Sequence, residues 1–249
     1  MLDLSSLWAG PLAASLLASA GAQVLKIESP GRPDGARSGP AAFFDLINAN
    51  KAGCALDLQR SRDRAAFERL LDGADIVLES ARPRALEQLG YDAGAWVDAV
   101  PGRLWVSITG YGRQAPERDW IAFGDDAAVA AGLAWSLPAQ AGPASPCFCG
   151  DAIADPLTGL HAAAIVLAHR HAGRGGLLEL SLVDISARAA GFSAGRLELP
   201  IERDRDQWCV IWRGERIPIE APRARPAIGT APALLAPNEA LLANWSATC

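Results

Sequence analysis

Through the first 190 residues, short apolar runs alternate with stretches whose apolar positions recur every three to four residues. Runs of the first kind predict strands at Leu2–Leu4, Gln23–Glu28, Cys54–Leu58, Asp75–Glu79, Leu104–Thr109 and Leu177–Val183. Several are apolar through their centres, as a sheet covered on both faces requires. Stretches of the second kind predict helices between them. In Ser61–Leu71, Ala65, Ala66, Phe67, Leu70 and Leu71 share one broad face. Further helices are expected over Leu12–Ala20, Pro83–Leu89, Ala93–Val100, Asp126–Ala134 and Asp184–Ala190, with a long one running to about His171. Phe43–Asn50 reads as a short helix or an irregular approach. Gly21 and Gly73 stand where a C′ glycine ends a helix. Strand–helix–strand order repeated this way predicts an α/β fold, an open parallel sheet with flanking helices.

The pattern changes after Gly191. Trp208–Trp212 and Arg216–Ile219 read as a β-hairpin turning near Gly214. Glu220–Pro237 is Pro/Ala-rich and extended, and Asn238–Trp245 closes as a short helix. The expected organisation is a first domain over residues 1–191, with a C-terminal hairpin and return segment, residues 192–249, packing on it.

Composition narrows the function classes. Formal net charge is −5, with no basic stripe interleaved with aromatics, so nucleic acid is not an expected partner. No run of 18 apolar residues lacks a charge or breaker, so no membrane span is expected. Met1 leads directly into strand-like sequence without a basic and then apolar leader, which suits a cytoplasmic protein. The five cysteines, Cys54, Cys147, Cys149, Cys209 and Cys249, are odd in number and scattered, as reduced thiols are. Cys147-Phe148-Cys149 lacks further ligands at metal-site spacing, so no metal is expected.

Candidate chemistry centres on Gly150–His161, which runs into the apolar segment from Ala162. Pro156 suits the first position of a helix, and Asp155 before it suits an N-cap. The same place suits a catalytic carboxylate at the positive end of a helix. The residues alone leave both readings open. Gly110-Tyr111-Gly112 is not a phosphate-loop motif. Arg32, Arg37, Arg82 and Arg84 lie in loops at strand ends, where guanidinium groups serve phosphates or simply face water. His161, His169 and His171 are not spaced for a metal, and no G-x-S-x-G exists.

The order of the pieces is more specific than any one of them. Leu2-Asp-Leu-Ser-Ser-Leu-Trp-Ala-Gly-Pro11, Ala22-Gln-Val-Leu-Lys-Ile-Glu-Ser-Pro30, Asn48-Ala-Asn-Lys51, Ala74-Asp-Ile-Val-Leu-Glu79, Ser107-Ile-Thr-Gly-Tyr-Gly112, Ile153-Ala-Asp155 with Thr158-Gly159, and Ser181-Leu-Val-Asp184 follow one another as in the class III CoA-transferase (CaiB/BaiF, formyl-CoA transferase-like) family. The chain resembles that family over residues 1 to about 190. The resemblance implies a Rossmann-like domain that takes coenzyme A or an acyl-CoA as substrate, with no permanently bound cofactor and a carboxylic acid as acceptor. It places Asp155 as the nucleophile that forms a covalent aspartyl-CoA thioester. It places Ala9 and Gly10 in the first βα turn near the pantetheine, and Arg37 on the nucleotide phosphates. Leu56, Asp57, Leu58 and Gln59 fall at the adenine-side strand end. Ser80, Ala81 and Arg82 replace the start of the family's Asn-Phe-x-Pro-Gly run, and Phe123 and Asp125 match an aromatic–acid pair. It implies a homodimer, or a heteromer with a full-length member. The family's small domain with a glycine-rich lid is not recognisable here, while Ala221–Leu234 resembles its return segment, so an internal deletion is expected. Two alternatives accompany the transferase: a non-catalytic CoA-binding paralogue or partner subunit, and an α-methylacyl-CoA racemase. The latter pairs the Asp with an upstream His, and no His precedes His161.

Overall fold

The computed structural model describes residues 1–135, 146–191, 199–221, 223, 225–235 and 245. Strands β1 (Leu2–Asp3), β2 (Leu25–Glu28), β3 (Ala52–Ala55), β4 (Ile76–Glu79), β5 (Leu104–Thr109) and β6 (Gly176–Ser181) form one sheet in the order β3-β2-β1-β4-β5-β6. Every pairing in it is parallel. The expected open parallel α/β sheet is what the chain forms.

Each strand's alternation feeds two cores. Ile76, Leu78, Leu104, Val106 and Ile108 face helices α1 (Ala9–Ser19), α6 (Gly124–Ala130), α7 (Ala154–His171) and α8 (Leu182–Gly191). Leu2, Leu25, Val77 and Trp105 face α3 (Ser61–Asp72) and α5 (Ala93–Ala99). The α2 helix (Ala41–Asn48) lies beside α1, and α4 (Pro83–Glu87) follows β4. Strand order reverses at β1, which pairs with β2 on one side and β4 on the other. Such a switch point opens a crevice at the carboxyl ends of the strands.

Beyond α8, β7 (Ile201–Asp204), β8 (Gln207–Trp212) and β9 (Glu215–Pro218) make a separate antiparallel meander. The hairpin turns at Arg213-Gly214, both left-handed, as a tight two-residue hairpin requires. The first strand of the three was not foreseen. Ile-Glu-Arg-Asp has too little apolar alternation to announce itself and is held by pairing with β8. Residues 225–235 then run back along α2 and the outer strand β3. The Leu235 carbonyl accepts the Ala55 N–H at 2.7 Å, capping part of an open sheet edge. The Ala231 N–H binds the Asp45 carboxylate at 2.8 Å. The loop expected over Pro138–Pro146 and the helix over Asn238–Trp245 lie almost wholly outside the described residues.

Candidate active site

Three helices start at the carboxyl edge of the sheet, and Asp155 is where they meet. It is the second residue of α7, not its N-cap; that position belongs to Ile153, which makes no side-chain cap. Ile153 already has helical dihedrals, so the helix begins before the acid–proline pair and Pro156 sits third in it. The carboxylate is thereby free to serve other chains of backbone. Two backbone N–H groups favour its ionised form: that of Ala9, the first residue of α1, and that of Gly124, the first residue of α6.

Small residues make this approach possible. A Cβ on Gly124 would stand 2.3 Å from Asp155 Oδ2 and 2.4 Å from the Ala152 carbonyl oxygen. One on Gly159 would stand 2.6 Å from the Ala9 carbonyl oxygen, so α1 and α7 cross at this contact. The preceding loop is fixed by Asp125, whose Oδ1 accepts the Ala152 N–H at 2.8 Å while Ala152 holds a left-handed φ of 46°. Asp126 accepts the Phe123 N–H at 2.6 Å and closes the start of α6.

The half-buried Asp155 carboxyl is pushed up to about 6. Burial is the main cause; the Ala9 and Gly124 N–H groups pull it down, and Asp125 and Asp126 add to the rise. A carboxylate in this state is still ionised near neutrality, yet more basic than an ordinary one. Gly124→Ala is expected to displace the carboxylate or the 150–154 loop. The expected cost is about 1–3 kcal/mol of stability and on the order of a hundredfold in any reaction run by Asp155. Denaturant unfolding and single-turnover kinetics check the two halves of that statement.

The loop from β1 to α1 connects Asp155 to the switch point. A cleft of about 260 Å³ opens there, lined by Leu4, Glu28, Leu56, Asp57, Leu58, Gln59, Phe67, Glu79, Ala81 and neighbouring apolar side chains. Five of the expected CoA contacts, Leu56–Gln59 and Ala81, thus share one cavity. At its edge the Ser80 hydroxyl accepts the Ser6 N–H at 3.2 Å, bridging the ends of β4 and β1. Glu79 is buried, and burial pushes its carboxyl up to about 6 against bonds from Ser107 and the Ala81 N–H and the nearby Arg113.

Beneath the loop lies a buried ionic network the sequence reading did not pick out. Lys51 Nζ is 2.8 Å from Asp3 Oδ2, and Lys26 Nζ is 2.9 Å from Asp34 Oδ2, all four side chains fully enclosed. Burial alone would raise the Asp3 carboxyl; Lys51 and Lys26, with bonds from Lys51 and Ser5, more than offset it and hold Asp3 below the usual carboxylate range. Lys26 also donates to the Ser5 carbonyl at 2.8 Å, and Asp34 Oδ1 accepts the Leu7 N–H at 2.9 Å. Leu7 carries a left-handed φ of 70°. That conformation costs a non-glycine residue about 1–2 kcal/mol. The Lys26–Asp34 pair holds the kink that turns the chain into α1 and aims the Ala9 N–H. Charges inside apolar strands, as at Lys26, Glu28 and Glu79, were the available signal, because such residues are buried only when paired.

The remaining expected site residues lie outside the cleft lining. Arg37 makes a two-point pair with Glu28, its closest contact 2.6 Å, donates to the Pro232 carbonyl and covers the Phe44 ring. Arg82 is exposed at the N-cap of α4. Gly10 packs on Ser5. Phe123 and Asp125 stand on the wall beside Asp155. His161 is exposed, its Nδ1 2.8 Å from the Leu157 carbonyl of its own helix. Among the described residues no helix is long and apolar enough to cross a membrane, and no group of His, Cys, Asp or Glu is placed to hold a metal.

With this geometry in view, comparison with known proteins is specific. The sequence model of CoA-transferase family III matches residues 1–205. The "Probable fatty acyl-CoA transferase" of Mycobacterium tuberculosis is 28% identical over 212 residues, covering 82% of this chain and 53% of the relative. The succinyl-CoA–D-citramalate CoA-transferase of Chloroflexus aurantiacus is 29% identical over 195 residues, 74% of this chain and 48% of its own. The formyl-CoA:oxalate CoA-transferase of Escherichia coli is 30% identical over 195 residues, 74% of this chain and 46% of its own. A crystal structure of a hypothetical protein from Mycobacterium tuberculosis superposes with a TM-score of 0.72 at 28% identity, covering 85% of this chain and 63% of that one. The chain spans about half the length of the curated relatives it matches.

Proposed function

From the premise that this chain belongs to CoA-transferase family III, we propose that it moves coenzyme A between carboxylic acids with Asp155 as the covalent nucleophile. One observation carries the reading: a half-buried carboxylate set so close to the start of α6 that a Cβ on Gly124 would strike it, with the N–H groups of Ala9 and Gly124 favouring its ionised form. A carboxylate so oriented is poised to attack, and the surrounding N–H groups are suited to charge that develops on oxygen. In the proposed cycle an Asp155 oxygen bonds to the thioester carbonyl carbon and the C–S bond breaks, giving a mixed anhydride and CoA thiolate. The thiolate attacks the Asp155 carbonyl, releasing the first acid and leaving an aspartyl-CoA thioester. The acceptor carboxylate attacks that thioester, forming a second anhydride and freeing the thiolate again. Attack of the thiolate on the acceptor's carbonyl yields the new acyl-CoA and restores Asp155. The substrates are accordingly an acyl-CoA and a carboxylic acid, with the switch-point cleft, from Leu56–Gln59 to Ala81, taking the nucleotide side.

The test is direct. Incubation with acetyl-, succinyl- or octanoyl-CoA, then hydroxylamine, is expected to convert Asp155 to its hydroxamate, read by peptide mass. An unmodified Asp155 peptide with all three thioesters would rule the nucleophile out. A second reading, a CoA-binding partner subunit without turnover, is favoured by one contact: the Arg37 guanidinium is engaged by Glu28 and Pro232. A succinyl-CoA–L-malate CoA-transferase β subunit of Chloroflexus aurantiacus, 31% identical over 198 residues, fits that reading. Coenzyme A raising the melting temperature without any hydroxamate would favour it.

A further inference from the structure

The wall beside Asp155 is apolar, and its charges are acidic. Residues 120–123 lie against the end of β5, where a Cβ on Gly110 would come within 2.8 Å of the Ala122 Cβ. They lead straight into α6, whose first residue, Gly124, lies against the Asp155 carboxylate. Along this segment Trp120, Ile121 and Phe123 are 52%, 60% and 58% exposed, and Trp120 meets Tyr111 edge-on at 5.3 Å. Phe148, on the loop that ends at Asp155, is 63% exposed. Three large apolar side chains within four consecutive residues, Trp120, Ile121 and Phe123, mark a surface that is covered in function.

The charges exclude one kind of cover. The charged side chains acting most strongly on Asp155 are Asp125 and Asp126. Three arginines near the apolar segment are already matched: Arg118 with Glu87, Arg84 with Asp119 and Arg113 with Glu79. Both lysines of the chain, Lys26 and Lys51, are buried in ion pairs. A second carboxylate on an acyl group would lose water here beside two like charges. An alkyl or aryl group would instead cover exposed apolar surface.

Resting on the reading of Asp155 as the nucleophile, we infer that the acyl group handled at this site is uncharged and apolar, an alkyl or aryl monocarboxylic acyl group, and that Phe123 and Ile121 set this preference. The experiment compares octanoyl-CoA with succinyl-CoA in two formats. Calorimetric titration of the Asp155→Asn chain, which cannot be acylated, is expected to give at least a tenfold lower Kd for octanoyl-CoA. Hydroxamate formation at Asp155 in the native chain is expected to show the same order of rates. Phe123→Arg, at an exposed position, is expected to cut the ratio about tenfold by drawing succinyl-CoA in. Equal or tighter binding of succinyl-CoA to the Asp155→Asn chain overturns the inference, as does Phe123→Arg weakening both thioesters alike. If octanoyl-CoA binds preferentially but no adduct forms, the nucleophile reading fails while the apolar preference stands.

Discussion

Asp155→Asn is expected to abolish adduct formation and yet to yield a more stable protein at pH 8. The loss of reaction follows from chemistry: a carboxamide does not open a thioester to give an anhydride, and a drop of at least about a thousandfold is expected for loss of a nucleophile. The gain in stability follows from the raised carboxyl. In the unfolded chain Asp155 titrates at its ordinary value of 3.8, and in the fold at about 6. Between those values the folded state holds the extra proton, so folding stability falls as pH rises through the interval. Above about pH 6 the whole penalty is present, and below about pH 4 it is absent. Two units correspond to an upper bound of about 3 kcal/mol. Asn retains an oxygen to accept from Ala9 and Gly124, so about 1–2 kcal/mol of this is expected as a net gain, a rise of several degrees in melting temperature for a chain of this size. Melting curves of native and variant chains from pH 4.5 to 8 check the sign: the difference should grow toward neutral pH and level off above it. A variant that melts lower at pH 8 would show that the ionised carboxylate stabilises the junction, and the burial argument would fail. The result expected is the ordinary cost of keeping a reactive group where the fold alone would not place it.

The sheet was legible because its strands are covered on both faces and read as apolar runs; β5 matches its expected span of Leu104–Thr109. The edges were less so. Cys54–Leu58 was expected as a strand, but β3 stops at Ala55, and Leu56–Gln59 turn into the cleft instead. Asp155 illustrates a deeper limit. Local spacing suggested a cap for its own helix, whereas its partners are Ala9 and Gly124, on helices that only the finished fold brings near. Glycine at 124 carries no periodic signal, yet any side chain there would strike the carboxylate. Residue pattern alone left Asp155 undecided, and the ordered family motifs singled it out. The ionic network beneath the first turn was missed for a related reason: Lys51 lies 48 residues from Asp3, and Lys26 meets Asp34 only because the loop after β2 folds back over the strand.

Lys51→Met is expected to be the most destabilising single change in the described structure, by about 3–5 kcal/mol. The Lys51 ammonium has no exposed surface and makes three bonds: to Asp3 Oδ2 at 2.8 Å, the Pro11 carbonyl at 2.9 Å and Asn48 Oδ1 at 2.9 Å. It therefore ties β1, the first turn of α1 and the end of α2 to one point. Methionine fills much of the volume but leaves the Asp3 carboxylate buried with one of its two countercharges gone, and leaves two acceptors dry. A melting-temperature drop on the order of 10 °C is expected. Because the cost is mainly that of an uncompensated charge, Asp3→Asn added to Lys51→Met should recover part of it, although either change alone destabilises. Urea unfolding of the four chains of this cycle measures the coupling; strictly additive losses would refute an ionic origin. The same clamp holds the Pro11 carbonyl two residues from the Ala9 N–H. Lys51→Met should therefore also slow hydroxamate formation at Asp155 under conditions where the variant is still folded, since an α1 helix that can shift no longer fixes the donor on which the carboxylate depends.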